Sequence, residues 1–257
     1  MIGIGIGPSF VATRPITWSP ILLSGIGPSL VPKVQREAGL LWQDTGKTVA
    51  AYADGDPVRV ATCPFTHTDI IAASDAARPL LKITGSKAYL LFDGSSDYMS
   101  ATVASGFMSA AYTLALGIRF AAPGVGDQIA MEAGVPLSDG KLRSVWIDNS
   151  TDSVSFNGYN VHRRGSVQPN NSSDYRTIIH GSLGTGTVNI YVNGTDAGSG
   201  ALTNSLVSQD GTTLWYGGRV ASALFCPCRI YAGVAVNAEV TASERSLLDA
   251  YLQSQLP

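Results

Sequence analysis

The chain has 257 residues, of which 45% are hydrophobic and 14% are charged, and its net charge is -2. Soluble domains usually carry about 25% charged residues, so this surface consists mainly of neutral polar side chains. The near-zero net charge excludes a strongly basic nucleic-acid-binding protein and gives no reason to expect an anionic membrane partner. The high apolar content excludes intrinsic disorder, and a single all-β domain is common at this length.

The first 32 residues contain two copies of nearly the same heptapeptide, GIGPSFV at 5–11 and GIGPSLV at 25–31. Alternation of Ile with Gly is typical of an extended segment, since Gly disfavours helix. Apolar side chains are costly to leave in water, so residues 1–32 are predicted to form an arm that docks on its own domain, a sister subunit or another protein. The predicted contact residues of this arm are Ile2, Ile4, Ile6 and Phe10.

Residues 33–87 are predicted to form a loop-rich leader that packs on the main domain. Short strand-like pieces occur at 39–42 and 57–61. Arg78 precedes Pro79, and the residue before a proline avoids helical backbone, so the chain is expected to be extended just before the next element.

Residues 88–257 are predicted to form the main domain, because apolar residues there recur at every second position, as in half-buried strands. Asn193-Gly194 predicts a tight turn between two strands. The predicted strands cover 88–94, 111–120, 142–148, 175–183, 187–194, 212–218 and 228–237. Three of these strands are each expected to bury one face. In the strand 111–120 that face consists of Tyr112, Leu114, Leu116, Ile118 and Phe120; in 187–194 it consists of Val188, Ile190 and Val192; and in 228–237 it consists of Cys228, Ile230, Ala232, Val234 and Val236.

One helix is predicted, over 241–255, and it is expected to pack on the edge of a sheet. Thr241 and Glu244 have the spacing of a capping box at its start. An apolar stripe follows, formed by Leu247, Leu248, Tyr251 and Leu252. Many short strands with Gly and Asn turns and one terminal helix indicate an all-β fold, an antiparallel sandwich.

The three cysteines, Cys63, Cys226 and Cys228, are too few for a disulfide framework. Cys226 and Cys228 flank one proline, a spacing that fits a strained disulfide or part of a metal site. A zinc site needs about four ligands and the chain has no second cysteine pair, so buried thiols are the favoured interpretation.

Four segments, in this order, resemble the concanavalin A-like, laminin-G-like jelly roll. They are YLLFDGSSDYM (89–99), TLALGIRF (113–120), VNIYVNGTDAG (188–198) and RIYAGVAVNAEVTASERSLLDAYL (229–252). Upstream, LLWQDTGKTVAAYADGDPVRV (40–60) and ASDAARPLLKI (73–83) resemble the leader that precedes this jelly roll in virion proteins of tailed phages and prophages. The resemblance implies a jelly-roll sandwich with an extended N-terminal arm.

The resemblance implies a non-enzymatic structural protein of a tailed-phage virion, synthesised in the cytoplasm of the bacterial host. A head-decoration or head-fibre subunit assembled through the arm is favoured over a long tail fibre, because the chain lacks triple-helical and coiled-coil repeats. Expected partners are other virion proteins and further copies of this chain, with a trimer inferred from jelly-roll assemblies. The alternative is a carbohydrate-binding module of a phage tail or tail fibre that recognises a host glycan. Neither nucleic acid nor a membrane is an expected partner.

Some jelly rolls of this family bind glycans at a loop edge, with a calcium ion held by Asp and Asn oxygens. No cofactor is required by the sequence, and calcium is the one alternative, because it takes six to eight oxygen ligands. The candidate ligands are Asp93, Asp97, Asn193 and Asp196, with Asp127 as a further one. Asp, Asn and Gly also serve ordinary structural purposes in turns.

Sugar binding uses aromatic rings beside hydrogen-bonding groups, because a flat ring stacks on the apolar face of a pyranose. The candidates for this role are Trp146, Tyr159, Trp215 and Tyr216. In a sandwich most such residues belong to the core, so each of them has a structural interpretation as well.

A divergent glycan hydrolase is the third hypothesis, and it would depend on Glu132. A glycosidase needs two carboxylates about 5–10 Å apart, and Glu132 has no partner at the spacing used by related glucanases. The protein is therefore predicted not to be an enzyme. Arg163-Arg164, after His162, is the densest basic spot in the chain, and a solvated loop tip is favoured there over a contact with an acidic neighbouring subunit.

Overall fold

A computed structural model of the protein describes residues 18–121, 126–135, 141–148, 153–158, 161–170, 172–183, 186–219 and 223–257. The predictions for the arm residues Ile2, Ile4, Ile6 and Phe10 and for Tyr159 lie outside the described residues. Strands and helices are numbered below along the chain.

Nine strands form the larger of two antiparallel sheets. In spatial order they are β1 (Leu41–Trp42), β2 (Val60–Thr62), β3 (Asp69–Ala72), β6 (Met99–Thr102), β16 (Thr213–Tyr216), β8 (Gln128–Gly134), β9 (Leu142–Asp148), β10 (Ser153–Asn157) and β11 (His162–Arg164). The leader thus supplies three strands, β1 to β3, to one side of this sheet.

The smaller sheet contains the longest strands at its centre. In spatial order they are β14 (Thr195–Asp196), β13 (Thr187–Val192), β12 (Tyr175–Ser182), β7 (Ala111–Phe120), β19 (Pro227–Val236), β5 (Lys87–Asp93) and β4 (Leu80–Thr84), and β15 (Gly200–Ala201) also pairs with β13. The remaining elements are the hairpin β17 (Gly218–Arg219) and β18 (Leu224–Phe225), the helices α1 (Pro32–Glu37) and α2 (Ala242–Gln255), and the single 3-10 turns Pro20–Leu22 and Asp75–Ala77. The predicted all-β antiparallel sandwich with one C-terminal helix is confirmed.

The main core lies between the two sheets and collects the apolar residues that alternate along the strands. The predicted inward faces of β7 and β13 are confirmed, since Tyr112, Leu114, Leu116, Ile118, Phe120, Val188, Ile190 and Val192 all belong to this core. Asn193 and Gly194 both have positive φ, 53° and 79°, and make the predicted tight turn after β13.

The prediction that β19 buries a single face is wrong. Cys228 and Ile230 point into the core between the sheets, whereas Ala232 and Val234 point to the opposite side, under α2. The register between β19 and β7 shifts between Ile230 and Ala232. A β-bulge adds one residue, and one extra residue moves every later side chain to the other face of the sheet.

Helix α2 packs on the face of the smaller sheet and not on its edge, which corrects the prediction. It contacts the three central strands β12, β7 and β19. Leu248 and Leu252 are fully buried there, while Leu247 of the predicted stripe is 40% exposed. The capping box is confirmed, with the Thr241 side chain accepting from the Glu244 N–H and the Glu244 side chain accepting from the Thr241 N–H.

The second copy of the N-terminal heptapeptide docks on its own domain. The Gly27 N–H donates to the Ala235 carbonyl at 2.8 Å, and the Leu30 N–H donates to the Gly233 carbonyl at 2.8 Å. Strand β5 pairs with β19 only as far as Ile230, so residues 25–30 continue the pairing along the rest of this side of β19. None of the helices in the described ranges is long and apolar enough to cross a membrane.

Packing of α2 on the sheet generates a stability prediction. Leu252→Ala removes a fully buried side chain and is expected to lower the free energy of unfolding by about 2–5 kcal/mol. Leu247→Ala, one turn earlier on the exposed side of the helix, is the matched control and should cost less than about 0.5 kcal/mol. Urea unfolding followed by circular dichroism measures both, and equal losses would contradict the described orientation of the helix.

Candidate functional site

The outward side of the larger sheet carries polar and aromatic side chains on four neighbouring strands. Trp215 of β16 lies opposite Glu132 of β8, which lies opposite Ser144 of β9. Two residues after Ser144 on β9, and therefore on the same side of the sheet, Trp146 lies opposite Ser155 of β10. We call this surface the polar face, and its members are Glu132, Ser144, Trp146, Asp148, Ser153, Ser155, Asn157, Arg164, Trp215 and Arg219.

Strand alternation places these residues together. Met131, Val145 and Phe156 point into the core between the sheets, so their neighbours along β8, β9 and β10 point outward. The outward side of an antiparallel sheet is usually solvated. Here Glu132 and Ser144 are 0% exposed although they lie on that side. Polar side chains buried outside the apolar core mark this face as the candidate site.

The hairpin formed by β17 and β18 contacts β8 and brings a guanidinium onto the carboxylate of Glu132. The Arg219 Nε lies 2.9 Å from Oε1 of Glu132 and 3.0 Å from Oε2, and its terminal nitrogen also donates to Oε2. Arg219 is only 3% exposed. Burial raises the pKa of Glu132, and the hydrogen bonds and charge of Arg219 oppose that shift. Both carboxylate oxygens of Glu132 are therefore engaged by Arg219.

The aromatic candidates divide into two groups. Trp215 is half-buried, and Trp146 is 8% exposed with its indole N–H lacking a hydrogen-bond partner in the described part of the chain. A buried donor without a partner is costly, and because this nitrogen is itself buried, Trp146 presents only the small exposed part of its ring. Tyr216 points the other way, into the core, and its hydroxyl donates to the Pro28 carbonyl at 2.7 Å. It therefore presents no surface to a ligand.

An arginine–carboxylate pair lies at the far end of the polar face. Arg164 Nε donates to Oδ2 of Asp148 at 2.5 Å, and the side chain of Asp148 is 3% exposed whereas that of Arg164 is 49% exposed. Arg163 and Arg164 belong to β11, at the edge of the larger sheet, so the predicted loop tip is wrong. Both arginines line a cleft of 190 Å³ together with His162, Ala201 and Thr203.

The structure does not bring the predicted calcium ligands together. Asp93 and Asp97 lie at the end of β5, whereas Asn193 and Asp196 lie at the β13–β14 hairpin, and three strands (β12, β7 and β19) separate β13 from β5. Asp196 accepts the N–H groups of Gly198 and Ser199, each at 2.9 Å. Across the described ranges, no three His, Cys, Asp or Glu side chains are grouped closely enough to hold a metal ion.

Asp93 and Asp97 form a carboxylate pair that closes a turn. Although partial burial opposes it, hydrogen bonds from Ser95, Ser96 and Asp97 hold the pKa of Asp93 well below its usual range. Burial raises the pKa of Asp97 to about 6, and the negative charge of Asp93 acts in the same direction. Cys228 of β19 lies opposite Phe92 of β5, close to this turn, and the described cysteines are free buried thiols.

Several solved structures share the fold of this chain. One is a Trypanosoma rangeli sialidase in complex with 2,3-difluorosialic acid, with a TM-score of 0.55, 15% identity and coverage of 85% of this chain and 33% of that chain. A second is the binding domain of botulinum neurotoxin serotype G, with a TM-score of 0.52, 11% identity and coverage of 76% and 48%. A third is the ligand-binding domain of serotype D with N-acetylneuraminic acid, with a TM-score of 0.50, 9% identity and coverage of 87% and 52%.

These comparisons establish the fold alone, because the identities are low. The chain spans 33% of the sialidase chain and 48% and 52% of the two neurotoxin chains. No family model and no curated protein matches the sequence. The prediction that the protein is not an enzyme is contradicted, since the structures that share its fold include sialidases, which are enzymes.

The buried Glu132–Arg219 pair generates a second prediction. Arg219→Met leaves a carboxylate buried without its partner and is expected to lower the free energy of unfolding by about 3–5 kcal/mol. The double variant Glu132→Leu/Arg219→Met removes both charges and should recover most of that loss. Urea unfolding of the two variants provides the measurement, and a double variant no more stable than Arg219→Met would contradict the pairing.

The raised pKa of Asp97 generates a third prediction. A carboxyl whose pKa is raised to about 6 on folding stabilises the protein when protonated, and this contribution is lost as the pH rises from about 4 through 6. Asp97→Asn is therefore expected to gain stability relative to the natural protein as the pH rises over this window. Thermal unfolding at several pH values measures the difference. Asp75→Asn, at a side chain that is 80% exposed, is the control and should show no such trend.

Proposed function

We propose that this protein is a carbohydrate-binding domain and that the polar face is its binding surface. The proposal rests on how two tryptophans and two polar residues are arranged on this sheet. Trp215 and Trp146 lie on the outward side of the same sheet, with Glu132 and Ser144 on the strand positions between them. Aromatic surface beside fixed polar groups is the combination that recognises sugars, because the apolar face of a pyranose stacks on a ring while its hydroxyls form hydrogen bonds.

The ligands of the similar structures support this proposal. Sialidase structures with the same fold contain sialic acid or its difluoro derivative, and the serotype D neurotoxin domain contains N-acetylneuraminic acid. Sugar binding was the alternative function inferred from the sequence, and it now becomes the main one.

The roles of individual groups follow from their surroundings. The partly exposed ring of Trp215 is the surface on which a sugar stacks, and Trp146, which is 8% exposed, is a nearly buried ring beside it. Glu132 is held by Arg219, so the pair keeps the floor of the site rigid and does not itself act on the ligand. Rigid supports of this kind lower the entropy that is lost on binding.

Location in a tailed-phage virion stays a prediction that rests on the sequence resemblance alone. A sugar-binding domain on a virion surface would attach the particle to a host glycan, so the two interpretations are compatible. Assembly through the N-terminal arm, and a trimer in particular, likewise stay predictions.

The test is a glycan array probed with the full chain, followed by calorimetry on the best ligand. Trp215→Ala is expected to weaken binding at least about tenfold, because it removes the stacking surface. Trp42→Ala is the matched control, since Trp42 is a half-buried tryptophan of the same sheet on the distant strand β1. An array without signal, or equal binding by both variants, would overturn the proposal.

A further inference from the structure

We propose that the cleft beside β11 binds the carboxylate of an acidic sugar, so that the protein selects acidic over neutral glycans. This inference rests on the proposed carbohydrate binding and extends it by naming a class of ligand. The cleft lies where the edge strands of the two sheets meet, lined by His162, Arg163 and Arg164 from the larger sheet and by Ala201 and Thr203 beyond it. Its position at the end of the polar face places it next to the proposed sugar site.

Arg163 supplies a fixed positive charge to this cleft. Its guanidinium donates to the backbone carbonyls of Gly198 and Ser199, which hold the side chain in place. No carboxylate of the described residues forms an ion pair with it. Asp196, the acidic group of that loop, is engaged by two backbone N–H groups, and the charge of Arg163 helps to lower the pKa of its carboxyl. A half-buried cation that is not in direct contact with a carboxylate favours an anionic ligand.

Arg164 connects the cleft with the polar face. Its Nε is bonded to Asp148, and the fork of the guanidinium carries two further nitrogens that can donate to a carboxylate. Strand pairing places Arg164 opposite Ser155, and Ser155 opposite Trp146. A sugar that stacks near the tryptophans is therefore within two strand spacings of Arg164, whereas Arg163, opposite the core residue Phe156, enters the cleft from the inner side of the sheet.

The size of the cleft limits what it can hold. Pockets that enclose a whole small ligand usually measure about 300–1,000 Å³. This cleft measures 190 Å³, so it suits one charged group of a sugar while the ring lies outside it. Arginine is the residue best suited to planar, two-point recognition of a carboxylate.

Ala201 offers a test that leaves both arginines untouched. Its side chain is exposed, and it lines the cleft from β15. Ala201→Glu places a competing carboxylate at the lining of the cleft that Arg163 and Arg164 share, and Ala201→Gln adds a side chain of nearly the same shape without charge. Calorimetry of the full chain with 3′-sialyllactose, tri-galacturonate and lactose measures the effect, and the melting temperature of each variant verifies folding.

The natural protein is expected to bind at least one of the two acidic ligands about tenfold more tightly than lactose. Ala201→Glu should weaken that binding at least about tenfold, and Ala201→Gln by less than about twofold. Equal affinity for lactose and the acidic ligands, or unchanged binding by Ala201→Glu, would overturn the inference. If neutral glycans bind and depend on Trp215, the proposed function stands and only the acidic preference fails. If no glycan binds at all, both fail.

Discussion

Strand β19 lies between two parts of the smaller sheet, β5 and β4 on one side and β7, β12, β13 and β14 on the other, and pairs with both. It pairs with β5 through Ile230 on one side and with β7 along nearly all of its length on the other. The bulge after Ile230 lets one strand serve two cores, the one between the sheets and the one under α2. Both faces of the smaller sheet are thereby covered. Among the described residues, this leaves the outward side of the strands β16, β8, β9 and β10 as a broad face that α2 does not contact.

Function is proposed on that face for a physical reason. A face buried under a helix has to be apolar, whereas a face without a helix on it can carry polar groups, which here are mostly buried and leave the partly exposed Trp215 as the surface open to a ligand. The hairpin of β17 and β18 covers part of it and supplies Arg219 to Glu132. The result is a floor of satisfied polar groups with tryptophan surface at its borders and cationic charge at one end. Each of these features is found in sugar sites, and their coexistence on one face carries the proposal.

Long regular strands could be predicted from the sequence, because β7 and β13 keep strict two-residue alternation. Strand β8 was not predicted. A register shift between Ile129 and Met131 breaks its two-residue alternation, and Glu132 interrupts its run of apolar residues. Trp146 and Trp215 could be proposed as site residues from their chemistry. Arg219 could not, because it comes from a strand of two residues and its ion-pair partner Glu132 is 87 positions away in sequence.

The central place of β19 also has a kinetic consequence. This strand begins at Pro227, close to the end of the chain, yet its partners β5 and β7 begin at Lys87 and Ala111, and residues 25–30 complete its pairing. Until β19 has been synthesised, the early strands have nothing to join them. Closing such large loops is entropically expensive, so this domain is expected to fold only after β19 is available, and slowly for its size.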